Sequence, residues 1–507
     1  MENQHSKAPA RCTSSDKEEA STSQENADKT PPLFKFGLLA DIQYCDTDDR
    51  TNFSGSQVRR YRNALNVARN AVEHFNLHHA EGDTLNMSGT KSTMTPIDFI
   101  IHNGDIIDHQ CAFDFETDSF KPLSEGRRQL ADVMQILDKS KCRDWIFTIG
   151  NHELYNFTRR ELIDGVDLKK EGIESYRKDG LTFKCASEDG DLYYAKKPHE
   201  KWKVIILNPY DVSIYSKGRE QGLDEDALTL LRKNNPNADK WCDENPDVVQ
   251  TERMSGTFPY FKDLEGLNGR WVPFNGGVGE TQLKWLREEL KKSNENEEKV
   301  LIFCHLLVHP KTTSGTGRTL LWNYEEVLRV IQKDGDGCVK CVFSGHQHEG
   351  GVHVDEFGTH FVVLESPMLA SDEDKGHPGP FCIVEVNETN VLMKGFGRSY
   401  ESHLFPYEQG LENVEALEYK IVLKEFSCAV SLVVSYILLL FYRIYNRWRV
   451  GLRIRFIFLK RVLSKRVKCE NKITLIDVLV TYIHTHTLKK NIANVHPRSA
   501  SVSEIIY

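Results

Sequence analysis

Five short segments of this chain place side chains that commonly bind metal ions directly after apolar, strand-like runs. The runs are nearly continuous in apolar residues, which is typical of strands buried on both faces. The residues that follow them and concern us are Asp41, Gln43, Asp105, Asp108, Asn151, His152, His305, His346 and His348. Because ligand sites in α/β sheets gather at the carboxyl ends of strands, we expect these side chains to meet in one site.

The pattern between the segments predicts an α/β layered domain. The five runs span residues 34–39, 97–101, 145–149, 300–304 and 338–343, and two more lie at 203–207 and 360–365. Helical periodicity separates several of them, at residues 59–79, 127–137 and 281–290. Residues 80–96, 208–280 and 311–319 read as loops or insertions, which often bind substrate.

The residue types fit a site for two divalent metal ions. Two ions roughly 3.5–4 Å apart can hold a phosphate and a bridging hydroxide, and one carboxylate must bridge them. We assign that bridge to Asp105. The assignment for the first ion is Asp41, Gln43, Asp105 and His348. The assignment for the second is Asp105, Asn151, His305 and His346. Glycines beside the ligands (Gly104, Gly150 and Gly345) permit close backbone approach.

His152 is predicted to act in catalysis rather than as a ligand. It can face the leaving oxygen as a general acid, and Asp108 can orient it. Each motif alone is weak evidence, because a lone N-G-D or G-N-H is usually a turn or a loop. Five such elements in this order, each after a strand, favour the metal site strongly over coincidence.

These motifs, D-x-Q, G-D-x-x-D, G-N-H-E, H and G-H-x-H, resemble those of the calcineurin-like metallophosphoesterases over residues 33–406. The resemblance implies an α/β fold of two packed mixed β-sheets flanked by helices, a four-layer sandwich.

Gln43 stands where that family usually has histidine. An amide oxygen is a harder donor than imidazole, which suits Mn²⁺ or Mg²⁺. Together with the sequence segments ADIQY and GNHELYNF, Gln43 makes the chain resemble the branch of manganese-dependent ADP-ribose/CDP-alcohol diphosphatases. The resemblance implies two divalent ions, Mn²⁺ preferred, and hydrolysis of ADP-ribose, CDP-choline and related compounds at the pyrophosphate.

Substrate contacts are predicted at three positions. Phe53 lies in a Gly/Ser/Asn loop and can stack on a base, although a loop anchor explains it equally well. Tyr155 and Arg318 are candidates for contacts with base or phosphate. Two other functions stay open at this point: a cyclic-nucleotide or general phosphodiesterase, and a membrane-associated adaptor with a vestigial site.

Charge and composition limit the kinds of partner that the protein can bind. The formal net charge is −9, which argues against nucleic-acid binding. Residues 1–32 are polar and lack an apolar targeting core, so we expect a disordered segment and a cytoplasmic protein. The 12 cysteines show no disulfide-like framework. The C-x-x-C at Cys338 and Cys341 lies in an apolar run and reads as a core strand rather than a metal site. We expect a monomer.

The C-terminal region is predicted to be a separate tail. We place the catalytic domain at residues 33–408 and the tail at 409–507. From Arg443 to Tyr507 there are 14 Lys/Arg and 3 Asp/Glu, and residues 426–442 are uncharged. A stretch of 17 uncharged residues is at the short limit for a membrane span. A real anchor, an interfacial segment and non-native coding sequence all remain open, so membrane contact through this stretch is undecided.

Overall fold

The structure is a computed structural model, and its description covers most of the chain between Pro31 and Val422. The described ranges are 31–52, 55–79, 82–85, 91–114, 116–117, 119–171, 180–219, 223–238, 260–371, 379–396 and 417–422. Residues 1–30 of the predicted disordered segment and the apolar stretch 426–442 lie outside them.

Eighteen strands occur in these ranges. In chain order they are β1 (Phe34–Leu39), β2 (Arg50–Thr51), β3 (Val58–Arg59), β4 (Gly82–Leu85), β5 (Lys91–Met94), β6 (Phe99–His102), β7 (Phe113–Asp114), β8 (Ser119–Phe120), β9 (Trp145–Phe147), β10 (Tyr194–His199), β11 (Trp202–Ile206), β12 (Lys299–Phe303), β13 (Val339–Ser344), β14 (Glu349–Val354), β15 (His360–Glu365), β16 (Phe381–Val386), β17 (Asn390–Phe396) and β18 (Leu417–Val422). All seven predicted strand-like runs are strands, with boundaries shifted by at most two residues.

Two six-stranded mixed sheets form the centre of the fold. The first has the order β18-β17-β16-β1-β6-β9, and the second has the order β10-β11-β12-β13-β15-β14. Strands β1, β6 and β9 run parallel to one another, as do β11, β12, β13 and β15. The carboxyl ends of the strands that precede the five predicted ligand segments therefore lie together at one edge of each sheet.

An apolar layer of aromatic and branched side chains packs between the sheets. Every second residue of β1 contributes to it, including Phe36, whose ring stacks on Phe99 at 5.2 Å and meets Phe303 edge-on at 5.9 Å. Phe303 stacks in turn on Phe343 at 4.9 Å. Such aromatic pairs contribute about 0.5–1.5 kcal/mol each beyond burial. This core holds the ends of the two sheets, and hence the ligand segments, in fixed register.

Helices cover the outer faces. They are α1 (Tyr61–His78), α2 (Leu123–Leu137), α3 (Asn151–Asn156), α4 (Arg159–Asp164), α5 (Glu225–Asn234), α6 (Glu280–Glu295) and α7 (Tyr324–Arg329). Short 3₁₀ turns span His109–Cys111, Leu168–Glu171, Gly266–Arg270, Pro310–Thr312 and Pro367–Leu369, and Val330–Asp334 forms a π turn. The predicted mixed sandwich is confirmed.

The last strand lies beyond the predicted end of the catalytic domain. Strand β18 pairs antiparallel with β17 from Asn390↔Val422 to Gly395↔Leu417, so it forms the edge of the first sheet. Cys341 is fully buried in β13 and Cys338 is buried just before it, as expected for a core strand. Across the described ranges, no helix combines the length and apolarity needed to cross a membrane.

Candidate metal centre

The ligand segments leave their strands through strained turns. Seven described non-glycine residues have positive φ, and four of them are predicted ligands: Asp41 (52°), Gln43 (43°), Asp105 (59°) and His346 (64°). Positive φ costs an L-residue free energy and persists where the surroundings enforce it, often at functional sites. The turns aim side chains from different strands at one buried volume.

The residues predicted for the first ion lie side by side. Gln43 Nε2 donates to Asp105 Oδ2 at 2.9 Å and lies 3.1 Å from His348 Nε2. His348 Nε2 is 3.7 Å from Asp41 Oδ1. Asp41 is fully buried, and its carboxylate accepts the His346 backbone N–H at 3.0 Å. All four predicted members of this group are therefore brought together.

Two residues predicted for the second ion, His305 and His346, lie beside the same Asp105 carboxylate. His305 Nε2 is 3.2 Å from Asp105 Oδ2. One candidate ligand atom from each of Asp105, His305 and His346 lies within 4.8 Å of the others. Asn151 stands at the start of α3, next to His152, whose backbone N–H donates to Asp105 Oδ1 at 2.9 Å. Asp105 is the residue that contacts both groups, as a bridging ligand must.

His152 faces two carboxylates. Its Nε2 is 3.8 Å from Asp105 Oδ2, and its Nδ1 is 3.6 Å from Asp108 Oδ2. Asp108 Oδ1 faces His109 Nδ1 at 3.1 Å. The structure thus places the predicted His152–Asp108 pair at the centre and adds His109, which the sequence analysis passed over. Asp108 lies between two imidazoles.

Glu153, which was not among the predicted site residues, anchors the turn of Asp105. Its Oε2 accepts the backbone N–H groups of Asp105 at 2.8 Å and Gly150 at 2.7 Å, and its Oε1 accepts that of Ile106 at 2.8 Å. The signal was present in the sequence, since a glutamate at the third helical residue commonly bonds back to the cap. The carboxylate is fully buried and joins β6 to α3.

Two glycines are required by close approach. A Cβ at Gly150 would collide with Asp105 Oδ1 and the Asp105 backbone nitrogen. A Cβ at Gly345 would collide with Asp41 Oδ2. The carboxylates of the predicted ligands therefore pack directly on backbone, and this explains the glycines in the G-N-H-E and G-H-x-H motifs.

Burial and mutual charge set the protonation of the centre. Burial raises the pKa of Asp41 well above its usual range, and the charge of Asp105 adds to the rise. Burial alone would lower the pKa of His305, but the Asp105 and Asp41 carboxylates and a hydrogen bond to the Asn103 carbonyl together outweigh it and raise that pKa to about 10. Burial opposes ionisation of Asp105, yet His305 and His152 hold its pKa well below the usual value. The free site thus balances buried anions with protons, which a cation can replace.

The donor set fits divalent cations. Gln43 Oε1 is buried and has no hydrogen-bond partner within the described ranges. Buried polar atoms normally have partners, so this oxygen points to a missing ligand. A half-turn of the Gln43 amide would present its oxygen to a cation in place of its nitrogen. Carboxylates, amide oxygens and imidazoles together suit Mn²⁺.

Two residues of the 208–280 insertion form hydrogen bonds with predicted ligands. Tyr210 donates its hydroxyl to Asn151 Oδ1 at 3.2 Å, and Asn275 Oδ1 lies 3.0 Å from His346 Nε2. Such outer contacts orient metal ligands. Isolated tyrosine and asparagine residues in a long loop carry no sequence signal, so the sequence analysis could not find them.

The three predicted substrate contacts differ in position. Phe53 lies outside the described residues. Tyr155 is buried and accepts Asn151 Nδ2 at 3.2 Å, which makes it a support of that side chain. The Arg318 guanidinium stacks over Phe261 at 4.0 Å, and the Arg318 carbonyl accepts Asn275 Nδ2 at 2.8 Å.

The fold and this centre define a dinuclear phosphoesterase, and comparison with known families agrees. The chain belongs to the calcineurin-like phosphoesterase family, whose sequence model matches residues 34–350. It is a hydrolase of that class.

Individual proteins similar to this chain carry a more specific name than the family does. A mouse protein named manganese-dependent ADP-ribose/CDP-alcohol diphosphatase is 30% identical over 375 residues, which cover 73% of this chain and 93% of the relative. The Arabidopsis thaliana protein of the same name is 32% identical over 337 residues, covering 66% and 87%. A solved dimetal phosphatase from Danio rerio is 27% identical with a TM-score of 0.54, covering 78% of this chain and all of that one.

Proposed function

We propose that this protein is a Mn²⁺-dependent hydrolase that cleaves the pyrophosphate bond of ADP-ribose, CDP-choline and related CDP-alcohols. The products are AMP or CMP and a phosphorylated sugar or alcohol. The observation that carries the proposal is the convergence of five segments on Asp105, with the amide of Gln43 in the first group. The activity named for the mouse and Arabidopsis thaliana relatives supports the choice of substrates.

The side chains have distinct tasks in this proposal. Asp41, Gln43, Asp105 and His348 would hold one ion, and Asp105, Asn151, His305 and His346 would hold the other. When bound, the ions neutralise phosphate charge and activate a water molecule as nucleophile. Asp105 fixes the common point of both groups. Glu153 holds the backbone of Asp105 in its positive-φ turn, so the position of the bridge does not depend on the ions alone.

His152 is the proposed donor of the proton to the leaving phosphate oxygen. Burial lowers the pKa of His152 to about 4, so the free site holds a neutral ring. A bound diphosphate brings negative charge beside the ring and favours its protonated form. Asp108 lies 3.6 Å from Nδ1 and orients the ring with Nε2 towards the centre.

A substrate panel tests the proposal. The full-length protein would be incubated with ADP-ribose, CDP-choline, a cyclic nucleotide and p-nitrophenyl phosphate, with Mn²⁺ and with Mg²⁺. We expect AMP and CMP from the first two, faster with Mn²⁺. Cleavage of only the last two would move the protein to another branch of the family, and turnover of none would favour a vestigial site.

A pair of matched variants ties that activity to the centre. Asp105→Asn removes the bridging carboxylate, and Asp336→Asn makes the same change in an exposed turn that also has positive φ (36°). We expect the first variant to lose Mn²⁺ binding and turnover and the second to keep both. Full activity of Asp105→Asn would contradict the assigned bridge.

We also propose, from the sequence, a cytoplasmic and monomeric enzyme. The eight cysteines in the described ranges are all free thiols, which supports a reducing compartment. Cell fractionation and light scattering of the purified protein would test the two statements.

A further inference from the structure

Three side chains around the proposed proton donor form a second cluster of metal-binding type. Asp108, His109 and His152 each offer one ligand atom, and these atoms lie within 4.8 Å of one another. None of the three belongs to the two ligand groups that share Asp105. A carboxylate with two imidazoles is a donor set that proteins use for Zn²⁺. The cluster is therefore a candidate site for a third cation, separate from the two that Asp105 bridges.

Two buried atoms of this cluster face each other without a hydrogen bond. Asp108 Oδ2 and His152 Nδ1 are 3.6 Å apart, which is beyond hydrogen-bond reach. Neither atom forms a hydrogen bond elsewhere in the ranges that the structure describes. The exposed fraction is 0% for the Asp108 side chain and 8% for that of His152. Buried polar atoms normally form hydrogen bonds, so the gap between these two points to a group that the protein itself does not supply.

The width of the gap fits a tetrahedral zinc ion. Bonds from Zn²⁺ to nitrogen and oxygen are about 2.0–2.2 Å long, so two ligand atoms on a tetrahedral ion lie roughly 3.3–3.6 Å apart. The 3.6 Å between Asp108 Oδ2 and His152 Nδ1 agrees with that separation. His109 Nδ1 lies 3.1 Å from Asp108 Oδ1, so its ring stands beside the same carboxylate. The His109 side chain is 19% exposed, which gives an ion a route from solvent.

Hydrogen bonds hold the cluster in place. Asn156 Nδ2 donates to the Asp108 carbonyl at 3.1 Å and to the His152 carbonyl at 2.9 Å, so one side chain joins the two segments. The Gln110 N–H donates to Asp108 Oδ1 at 3.0 Å, which leaves Oδ2 as the oxygen that faces the gap. Because the ligands are fixed in advance, ordering them costs little free energy when an ion binds.

We propose that Asp108, His109 and His152 form an inhibitory Zn²⁺ site. Sites with imidazole ligands bind Zn²⁺ more tightly than Mn²⁺, whereas Mn²⁺ suits the oxygen-rich group around Gln43. Zn²⁺ therefore occupies this cluster in a protein whose dinuclear centre is loaded with Mn²⁺. Water takes the fourth position, as it does at other zinc sites with three protein ligands.

The inhibition follows from the proton that His152 donates, and this step rests on the proposed function. Without zinc, the ring carries a proton on each nitrogen, gives the one on Nε2 to the leaving phosphate oxygen and remains neutral. With Zn²⁺ on Nδ1, release of the Nε2 proton would leave an anionic ring. Zinc therefore slows the departure of a phosphate, which needs the proton, but not that of nitrophenolate, which leaves without one.

Zinc binding is measured first, on the full-length protein in excess Mn²⁺, by calorimetry and by metal analysis after dialysis. We expect wild type to bind one more Zn²⁺ per chain than His109→Gln, with an affinity for that ion roughly 100-fold or more above that of the variant. His109→Cys should recover part of the affinity, since a thiolate also binds zinc. The matched control His199→Gln, which changes a histidine on the edge strand β10, should bind Zn²⁺ like wild type.

Activity is then measured with CDP-choline and with thymidine 5′-monophosphate p-nitrophenyl ester, each rate relative to the same protein without zinc. In wild type and His199→Gln, saturating Zn²⁺ should slow CDP-choline hydrolysis by roughly 10²- to 10⁴-fold, the contribution of a general acid, and change the ester rate little. In His109→Gln, both relative rates should persist at the same zinc concentration.

Other outcomes would overturn the site. Loss of bound Mn²⁺ on zinc addition, with equal inhibition of both substrates in wild type and His109→Gln, would mean that zinc acts at the dinuclear centre. Zinc that binds through His109 without slowing CDP-choline hydrolysis would refute the inhibitory role. If wild type binds the extra zinc but hydrolyses neither ADP-ribose nor CDP-choline, the proposed function fails and the cation site remains. If CDP-choline is hydrolysed but wild type and His109→Gln bind Zn²⁺ equally, only the cation site fails.

Discussion

Replacement of Glu153 by glutamine tests how far the protein, rather than the metal, positions Asp105. The carboxylate accepts three buried N–H groups, two on Oε2 and one on Oε1. Glutamine keeps one acceptor, so its oxygen can serve Asp105 and Gly150 while its NH₂ group faces the Ile106 N–H. One buried donor is left without an acceptor, which costs about 1–3 kcal/mol. If this free energy is lost from the turn that positions Asp105, Mn²⁺ affinity decreases by up to roughly 100-fold.

The experiment is best done at pH 8, with Glu161→Gln as the matched control. Burial, and then the charge of Asp105, raise the pKa of Glu153 to about 7, so the carboxylate is ionised at the higher pH. Glu161 caps α4 by accepting Thr158 N and Oγ1 at 3.0 Å, away from the centre. Both variants should unfold at lower urea concentration, but only Glu153→Gln should bind Mn²⁺ more weakly by calorimetry. Equal Mn²⁺ affinity in wild type and Glu153→Gln would refute the argument, as would equal weakening in both variants.

Three further substitutions probe the chemistry and stability of the site. His152→Ala should slow CDP-choline hydrolysis by roughly 10²- to 10⁴-fold but affect a nitrophenyl ester far less, because nitrophenolate leaves without a proton; loss of bound Mn²⁺, measured by metal analysis, would instead make His152 a ligand. Gln43→His should shift the activity ratio away from Mn²⁺ towards softer ions in a metal panel, and an unchanged ratio would remove Gln43 from metal selection. His309 accepts the Lys311 N–H at 3.2 Å, and burial, with a smaller contribution from the charge of His353, lowers the pKa of His309 to about 4. On acidification the histidine therefore binds a proton in the unfolded chain before it does so in the folded one. The free energy of unfolding should then fall as the pH drops from 6.5 to 4. His309→Gln should flatten that slope in urea titrations, and a slope identical to wild type would show that His309 does not contribute to it.

Sequence reasoning located the strands and the residues that follow them because both are local signals. A continuous apolar run such as residues 34–39 has few alternatives to a buried strand. The polar residues after it, Asp41 and Gln43, stand out against that background. The layered α/β domain and the grouping around Asp105 followed from the order of such signals along the chain, and the mixed sandwich followed from the resemblance to the phosphoesterase family.

The remaining parts depend on contacts between distant segments. Nothing near Tyr210 or Asn275 marks them, since their importance comes from meeting Asn151 and His346 after folding. Strand β18 was missed because its residues, LEYKIV, alternate polar and apolar like many surface segments.

Strand β18 decides where this enzyme can be shortened. A protein cut at residue 408 would lose the partner of β17, and the backbone N–H and C=O groups of Asn390–Phe396 would form an open sheet edge. Open edges recruit strands from other molecules and promote aggregation. A recombinant form intended to omit the basic tail should therefore end after Val422, where the pairing with Asn390 is complete.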